Sequence, residues 1–128
     1  MGTLSAARAA VRLARLVGSV PSGVGIGDDC AVLPPTRHAQ LVTTDPVIYG
    51  QHFDANVPPR AVGAKLLKRN LSDIAAMGGR PTTAVVSLAL APWTCANYVH
   101  DFYKGLNLLA AAHKVRIIGG DLTRTAKL

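Results

Sequence analysis

All of this chain's acidity is carried by seven carboxylates, and every one is an aspartate. Five of them stand in short polar contexts: Gly27-Asp28-Asp29, Thr43-Thr44-Asp45, Asn70-Leu71-Ser72-Asp73 and Gly119-Gly120-Asp121. Glutamate, the usual solubiliser of helix faces, is absent. Short carboxylates beside glycine, threonine and asparagine are what a hard, oxygen-loving cation needs. Mg2+ binds through one or two such groups together with water and substrate phosphates. The pattern therefore reads as part of a magnesium site that handles phosphates.

Each motif also has a plainer reading. In Gly25-Ile26-Gly27-Asp28-Asp29 the glycines admit a ligand close to the backbone. The adjacent carboxylates repel unless a cation or N–H groups lie between them. A solvated turn is the alternative. The segment lacks the third glycine of a dinucleotide fingerprint, and no GxxxxGK[ST] occurs, which excludes a P-loop. Thr43-Thr44-Asp45 ends an expected strand, either as oxygen ligands or as a simple turn. Asn70 and Asp73 are three apart and share a helix face. Arg69, four before Asp73, offers a surface ion pair instead, in the weaker base-before-acid order, but the small apolar flanks Leu71, Ile74, Ala75 and Met77 favour Asp73 as a semi-buried ligand. Ile117-Ile118-Gly119-Gly120-Asp121 runs an apolar strand into glycines and a carboxylate, the place where ligands sit at strand ends. A turn is again the alternative. His52 stands in the loop Gly50-Gln51-His52-Phe53. His38, His100 and His113 show no metal spacing, and Trp93 beside Pro92 reads as a packing or interface residue.

These motifs need a scaffold, and 128 residues make one domain. With 49% hydrophobic and 16% charged residues, the surface is left rather apolar, so a second subunit or a further domain is expected to cover part of it. The net charge of +7 is spread without a basic run, aromatics are few and no nucleic-acid-binding motif is present. Such a charge can serve nucleic acid, a membrane surface or small anionic substrates, and nucleic acid is the weak reading here. Cys30 and Cys95 lack a CxxC partner and read as reduced cytoplasmic thiols. No apolar stretch reaches the length of a membrane span. The basic segment 3–17 reads as an amphipathic helix rather than a transit peptide.

The expected elements alternate. A helix over 4–17 precedes the glycine-rich stretch. Short strands follow at 31–33 and 40–44, the second interrupted by Pro46 and open to continuation through 47–49. Pro58-Pro59 opens the strongest helix, which ends near Met77 before Gly78-Gly79. The apolar run 82–91 reads as a buried central strand. Thr94 is placed to cap a helix reaching His113, and 115–118 forms a last strand. The fold class is α+β, or α/β sandwich-like: a mixed sheet with helices packed on one face. The chain stops soon after Gly119-Gly120-Asp121 with no closing element, so it reads as truncated or as a shortened reading frame.

Taken in order, Gly25-Ile26-Gly27-Asp28-Asp29-Cys30-Ala31-Val32-Leu33, Thr43-Thr44-Asp45, Gly50-Gln51-His52-Phe53, Asn70-Leu71-Ser72-Asp73-Ile74-Ala75-Ala76-Met77-Gly78 and Ile118-Gly119-Gly120-Asp121-Leu122-Thr123 closely resemble the N-terminal domain of the thiamine-monophosphate kinase family, within the aminoimidazole-ribonucleotide-synthetase-like superfamily. The resemblance covers about residues 22 to 125. It implies that residues 1–128 are an N-terminal Mg-ATP-binding domain, incomplete at its C-terminal end and without the C-terminal domain. It implies transfer of the ATP γ-phosphoryl group to thiamine monophosphate, giving thiamine diphosphate. The acceptor is itself an anionic phosphate, so positioning and charge neutralisation carry the reaction and no strong base is required. By the same resemblance Asp29, Thr43, Thr44, Asp45, Asp73 and Asp121 are ligands of several Mg2+ ions, with Asp28 beside them. Gly120 and Asp121 lie along the nucleotide phosphates, Tyr103 stands near the nucleotide, and His52 contacts the thiamine phosphate. A cytoplasmic homodimer formed through the N-terminal sheet is implied, burying the run 82–91. Pro46 and Gly79 depart from common family residues, and family members are more than twice as long. The competing readings are a non-catalytic remnant that binds Mg-nucleotide or only dimerises, and a related enzyme such as selenophosphate synthetase or the hydrogenase-maturation protein.

Overall fold

The computed structural model describes residues 33–125. The expected helix over 4–17, the glycine-rich stretch with Asp28 and Asp29, and all but Leu33 of the first strand lie outside the described residues. The described elements are α1 (Pro59–Ala76), β1 (Thr83–Leu90), α2 (Ala96–Ala112) and β2 (Arg116–Arg124). They divide between two compact units. A helical unit comprises 34–83 and 95–116, and a strand unit takes its described part from Leu33, 84–94 and 117–125. The α+β expectation holds. Among the described residues no helix is long and apolar enough to cross a membrane.

In the helical unit, α1 and α2 pack on each other. Val99, Phe102, Tyr103, Leu106 and Ala110 recur at helical spacing along α2 and are buried, as are Val62 and Leu67 of α1. Leu106, at 1% exposure, is the most enclosed large side chain among them. Two glycines set how closely the helices approach. A Cβ on Gly63 would lie 2.0 Å from the Phe102 carbonyl oxygen, and one on Gly105 would lie 1.8 Å from that of Arg60. Glycine is a poor helix former, and it stands here because backbone meets backbone.

Both helices end in the same hydrogen-bonded motif. After α1, Gly78 donates its N–H to Ala75 O (2.9 Å) and Gly79 to Ile74 O (2.9 Å), with Gly78 left-handed at φ 68°. This is the Schellman arrangement, which needs a residue tolerant of positive φ. After α2, Lys114 donates to Ala111 O (3.1 Å) and Val115 to Ala110 O (2.8 Å), and the left-handed residue is Lys114 at φ 57°. A lysine pays a steric penalty there that glycine does not. Lys114→Gly is therefore expected to raise stability by about 0.5–1 kcal/mol, the freer unfolded chain offsetting part of the gain. Urea titration followed by circular dichroism would measure it.

At its start α2 corrects an expectation. Thr94 is buried and donates its N–H to Ala91 O (3.0 Å), while the cap position falls on Cys95, which makes no side-chain cap bond. The helix begins one residue later than the hydroxyl needed for capping.

In the strand unit, β1 and β2 are neighbours. Arg116 N–H bonds to Thr82 O (3.0 Å) at one end of the pair and Thr125 N–H to Leu90 O (3.0 Å) at the other, so the strands run parallel and α2 forms the crossover. Between those two bonds β2 uses one residue more than β1, which marks a bulge. Gly120, at φ 153°, passes so near β1 that a Cβ would lie 2.0 Å from Val86 O. Gly119-Gly120-Asp121 was expected to follow the last strand but lies inside it. The bulge lets the ladder continue through the glycines. The run 82–91 is not buried on both faces: Val86 and Leu90 are buried, but Val85 is 63% exposed. Residues 40–44 form no strand with any described partner. Pro46 removes one backbone donor nearby, and side chains of α1 take over the bonding that a ladder would supply.

Candidate functional site

On α1, Lys65, Arg69 and Asp73 recur every four residues, and Asn70 lies beside Arg69. Residues four apart stand one above another on a helix, so these side chains make a polar rail. The loop 43–53 hangs from that rail. Thr43 Oγ1 donates to Asp73 Oδ2 (2.9 Å). Asp45 N–H donates to Asn70 Oδ1 (2.8 Å), while Asn70 Nδ2 donates to both Asp45 O (3.0 Å) and Leu66 O (3.0 Å). Arg69 grips the Asp45 carboxylate with two bonds, Nε to Oδ2 (2.7 Å) and Nη2 to Oδ1 (2.9 Å). Lys65 Nζ donates to the His52 carbonyl. The loop thus descends α1 in antiparallel sense, 43 opposite 73, 45 opposite 69 and 70, and 52 opposite 65.

The Arg69 bonds decide one alternative. The surface pair considered for Arg69 was Asp73, four residues on; the fork instead closes on Asp45. A planar fork matches a carboxylate from across a gap better than a neighbour on its own helix. The Arg69 hydrogen bond holds the Asp45 carboxyl below its ordinary 3.8, against a smaller opposing effect of burial, and the same bond raises Arg69. Because the folded carboxyl is the more acidic, its contribution to stability is present above pH 3.8 and is lost as pH falls through the lower folded value.

His52 sits in a turn in which Gln51 and His52 N–H both reach Ile48 O (3.2 and 2.8 Å) and Gly50 N–H reaches Phe53 O (2.8 Å). Its Nδ1 accepts the Ile48 N–H (3.0 Å). That acceptor role places the ring proton on Nε2 and leaves Nε2 as the nitrogen available to a ligand. Tyr49 and Phe53 flank the turn edge to face, their centroids 5.5 Å apart.

The other predicted site residues fall as follows. Thr44 and Asp73 are exposed and belong to the helical unit, so Asp73 is not the semi-buried residue its apolar flanks suggested; Asp121 and Gly120 are exposed on β2 in the strand unit. Asp28 and Asp29 lie outside the described residues. Tyr103 is 5% exposed on α2, where burial pushes its hydroxyl up to about 12. An unfolded tyrosine ionises near 10, so this contribution is complete below pH 10 and is lost as pH rises from 10 to about 12. Tyr103→Phe is expected to abolish that alkaline loss, roughly 2–3 kcal/mol over the interval, in urea midpoints measured against pH.

Among the described residues no three His, Cys, Asp or Glu side chains form a metal-sized cluster. The Thr43 hydroxyl meets the Asp73 carboxylate, and the Asp45 carboxylate stands on Arg69 of the same helix; all are hard oxygens of the kind Mg2+ prefers. The bond from Thr43 uses only Oδ2 of Asp73, leaving Oδ1 outside it. In chemistry the set fits the ion. Lys65, and the roles of Arg69 and Asn70 as anchors of the loop, escaped the sequence reading. The four-residue recurrence of 65, 69 and 73 was the available signal.

One family model matches most of this chain. AIR synthase related protein, N-terminal domain, matches residues 27–128, and the chain belongs to that family. Within it the chain is similar to thiamine-monophosphate kinases. It is 41% identical over 106 residues to that of Bacillus subtilis, covering 80% of this chain and 32% of the relative. To that of Synechococcus elongatus it is 39% identical over 101 residues, covering 77% and 31%. The crystal structure of thiamine-monophosphate kinase from Stenotrophomonas maltophilia K279a superposes with a TM-score of 0.71 at 42% identity, over 80% of this chain and 32% of that one. AaThiL complexed with AMPPCP and TMP gives 0.58 at 36% identity, over 59% and 25%. The chain spans about a third of the length of the curated relatives it matches.

Proposed function

We propose that this chain is the Mg-ATP-binding N-terminal part of a thiamine-monophosphate kinase, a cytoplasmic phosphotransferase that moves the ATP γ-phosphoryl group to thiamine monophosphate and works as a homodimer. The observation that carries the reading is the Thr43–Asp73 hydrogen bond, which joins two motifs 30 residues apart in sequence. Both motifs occur in a chain similar to kinases of that name, and one similar structure holds AMPPCP and TMP.

In this reading Asp45, Asp73, Thr43 and Thr44, with Asp28, Asp29 and Asp121, would hold magnesium. The ion would supply charge neutralisation between acceptor phosphate and nucleotide. The chain's own work is positioning. The α1 rail holds the loop, and His52 Nε2 is free to donate to a substrate phosphate. The acceptor oxygen is already anionic, so no residue need remove a proton from it.

The test is calorimetric titration of the full chain with AMPPCP, with and without Mg2+. Mg-dependent binding is the expected result. Failure of the folded chain to bind, or binding indifferent to Mg2+, would remove the nucleotide site from these residues.

A further inference from the structure

Two neighbouring residues of α1 hold Asp45 in different ways. Asn70 clamps the backbone: its Oδ1 accepts the Asp45 N–H at 2.8 Å and its Nδ2 donates to the Asp45 carbonyl at 3.0 Å. Arg69 takes the carboxylate, one nitrogen to each oxygen, at 2.7 and 2.9 Å. The place of Asp45 in the fold therefore does not depend on the guanidinium, whereas its charge is already neutralised by it. Neither side chain is fully enclosed, with exposures of 35% for Arg69 and 28% for Asp45, so both partners remain open to exchange.

We infer that Arg69 is the resident counter-ion of Asp45 and the residue that sets how tightly this site takes a divalent cation. The inference rests on the reading of Asp45 as a cation ligand. An incoming ion of charge +2 must share the carboxylate with a guanidinium or displace it. At a separation of roughly 6 Å in water-like surroundings, that repulsion corresponds to about a tenfold loss of affinity. Arginine suits the task because its fork satisfies both oxygens and its charge does not vary with pH. A merely structural strut would act with the opposite sign, since losing it would loosen the loop and weaken binding.

The experiment is titration of Mn2+ into the full chain with AMPPCP present, free Mn2+ being read by electron paramagnetic resonance. Arg69→Met and Arg69→Gln are expected to tighten Mn2+ binding by about five- to tenfold. Their melting temperatures should stay level or fall, so that tighter binding cannot reflect a stiffer fold. Arg69→Lys keeps the charge and is expected to stay near the wild-type affinity. The gain should vanish when Arg69→Met is placed on an Asp45→Asn background. Equal or weaker binding in Arg69→Met and Arg69→Gln overturns the inference, and so does a gain that persists without the Asp45 carboxylate. If Asp45→Asn alone leaves Mn2+ binding unchanged, or the wild-type chain binds none, the reading of Asp45 as a ligand fails and the inference fails with it.

Discussion

Replacing Gly105 with alanine is expected to unfold the helical unit under conditions where the parent chain is folded. The added Cβ would lie 1.8 Å from the Arg60 carbonyl oxygen and 2.6 Å from its carbon, and both atoms are backbone, so no rotamer change relieves the overlap. The helices would have to separate by more than an ångström. Gly63 meets Phe102 in the same way from the other side, which leaves no direction for a small slide. Separation would loosen the packing around Val62, Phe102 and Leu106. Alanine's better helix propensity returns less than about 1 kcal/mol, against an overpacking cost of about 3 kcal/mol. For a small domain that difference is a large part of the total stability. Thermal melting by circular dichroism would measure it, and an unchanged midpoint would show that the crossing is wider than described.

The second large effect concerns binding rather than folding. Asp73→Asn is expected to lower Mg-dependent AMPPCP affinity by on the order of 100-fold, since changes outside the ligand shell already cost 10–100-fold in metal affinity. Asparagine has the same shape and keeps an acceptor for the Thr43 hydroxyl, so the bond between loop and helix survives. The side chain is exposed at the end of α1, and the melting temperature should hardly move. Calorimetry with and without Mg2+, beside a thermal melt, separates the two effects. Unchanged affinity in the folded variant would take Asp73 out of the site.

Much of the helical scaffold was legible in the residues. Pro58-Pro59 and Gly78-Gly79 bracket α1, and the expected end near Met77 is one residue past the observed Ala76, because proline and glycine act through local backbone sterics alone. The second helix was placed between Thr94 and His113, and its end held to within a residue while its start did not. A cap depends on where the preceding chain leaves the helix, and Thr94 turns back to Ala91 instead. The segment 40–44 had the composition of a strand, yet a strand exists only with a partner, and here α1 side chains take the loop's bonds. The glycines at 119 and 120 read as a stop because isolated propensity cannot register a bulge, which is defined by the neighbouring strand.

The sequence by itself determined the chemistry available: short oxygen donors in ordered motifs, an α+β alternation, and the helix that carries Asn70 and Asp73. These follow from residue type and short-range spacing. Only the tertiary structure decided which donors meet. It joined Thr43 to Asp73 and gave Asp45 to Arg69 rather than leaving Arg69 to its neighbour on the same helix. It also turned two helix-weakening glycines into the contact between α1 and α2. Contacts between residues distant in sequence depend on how separate elements pack, and no local pattern encodes that packing.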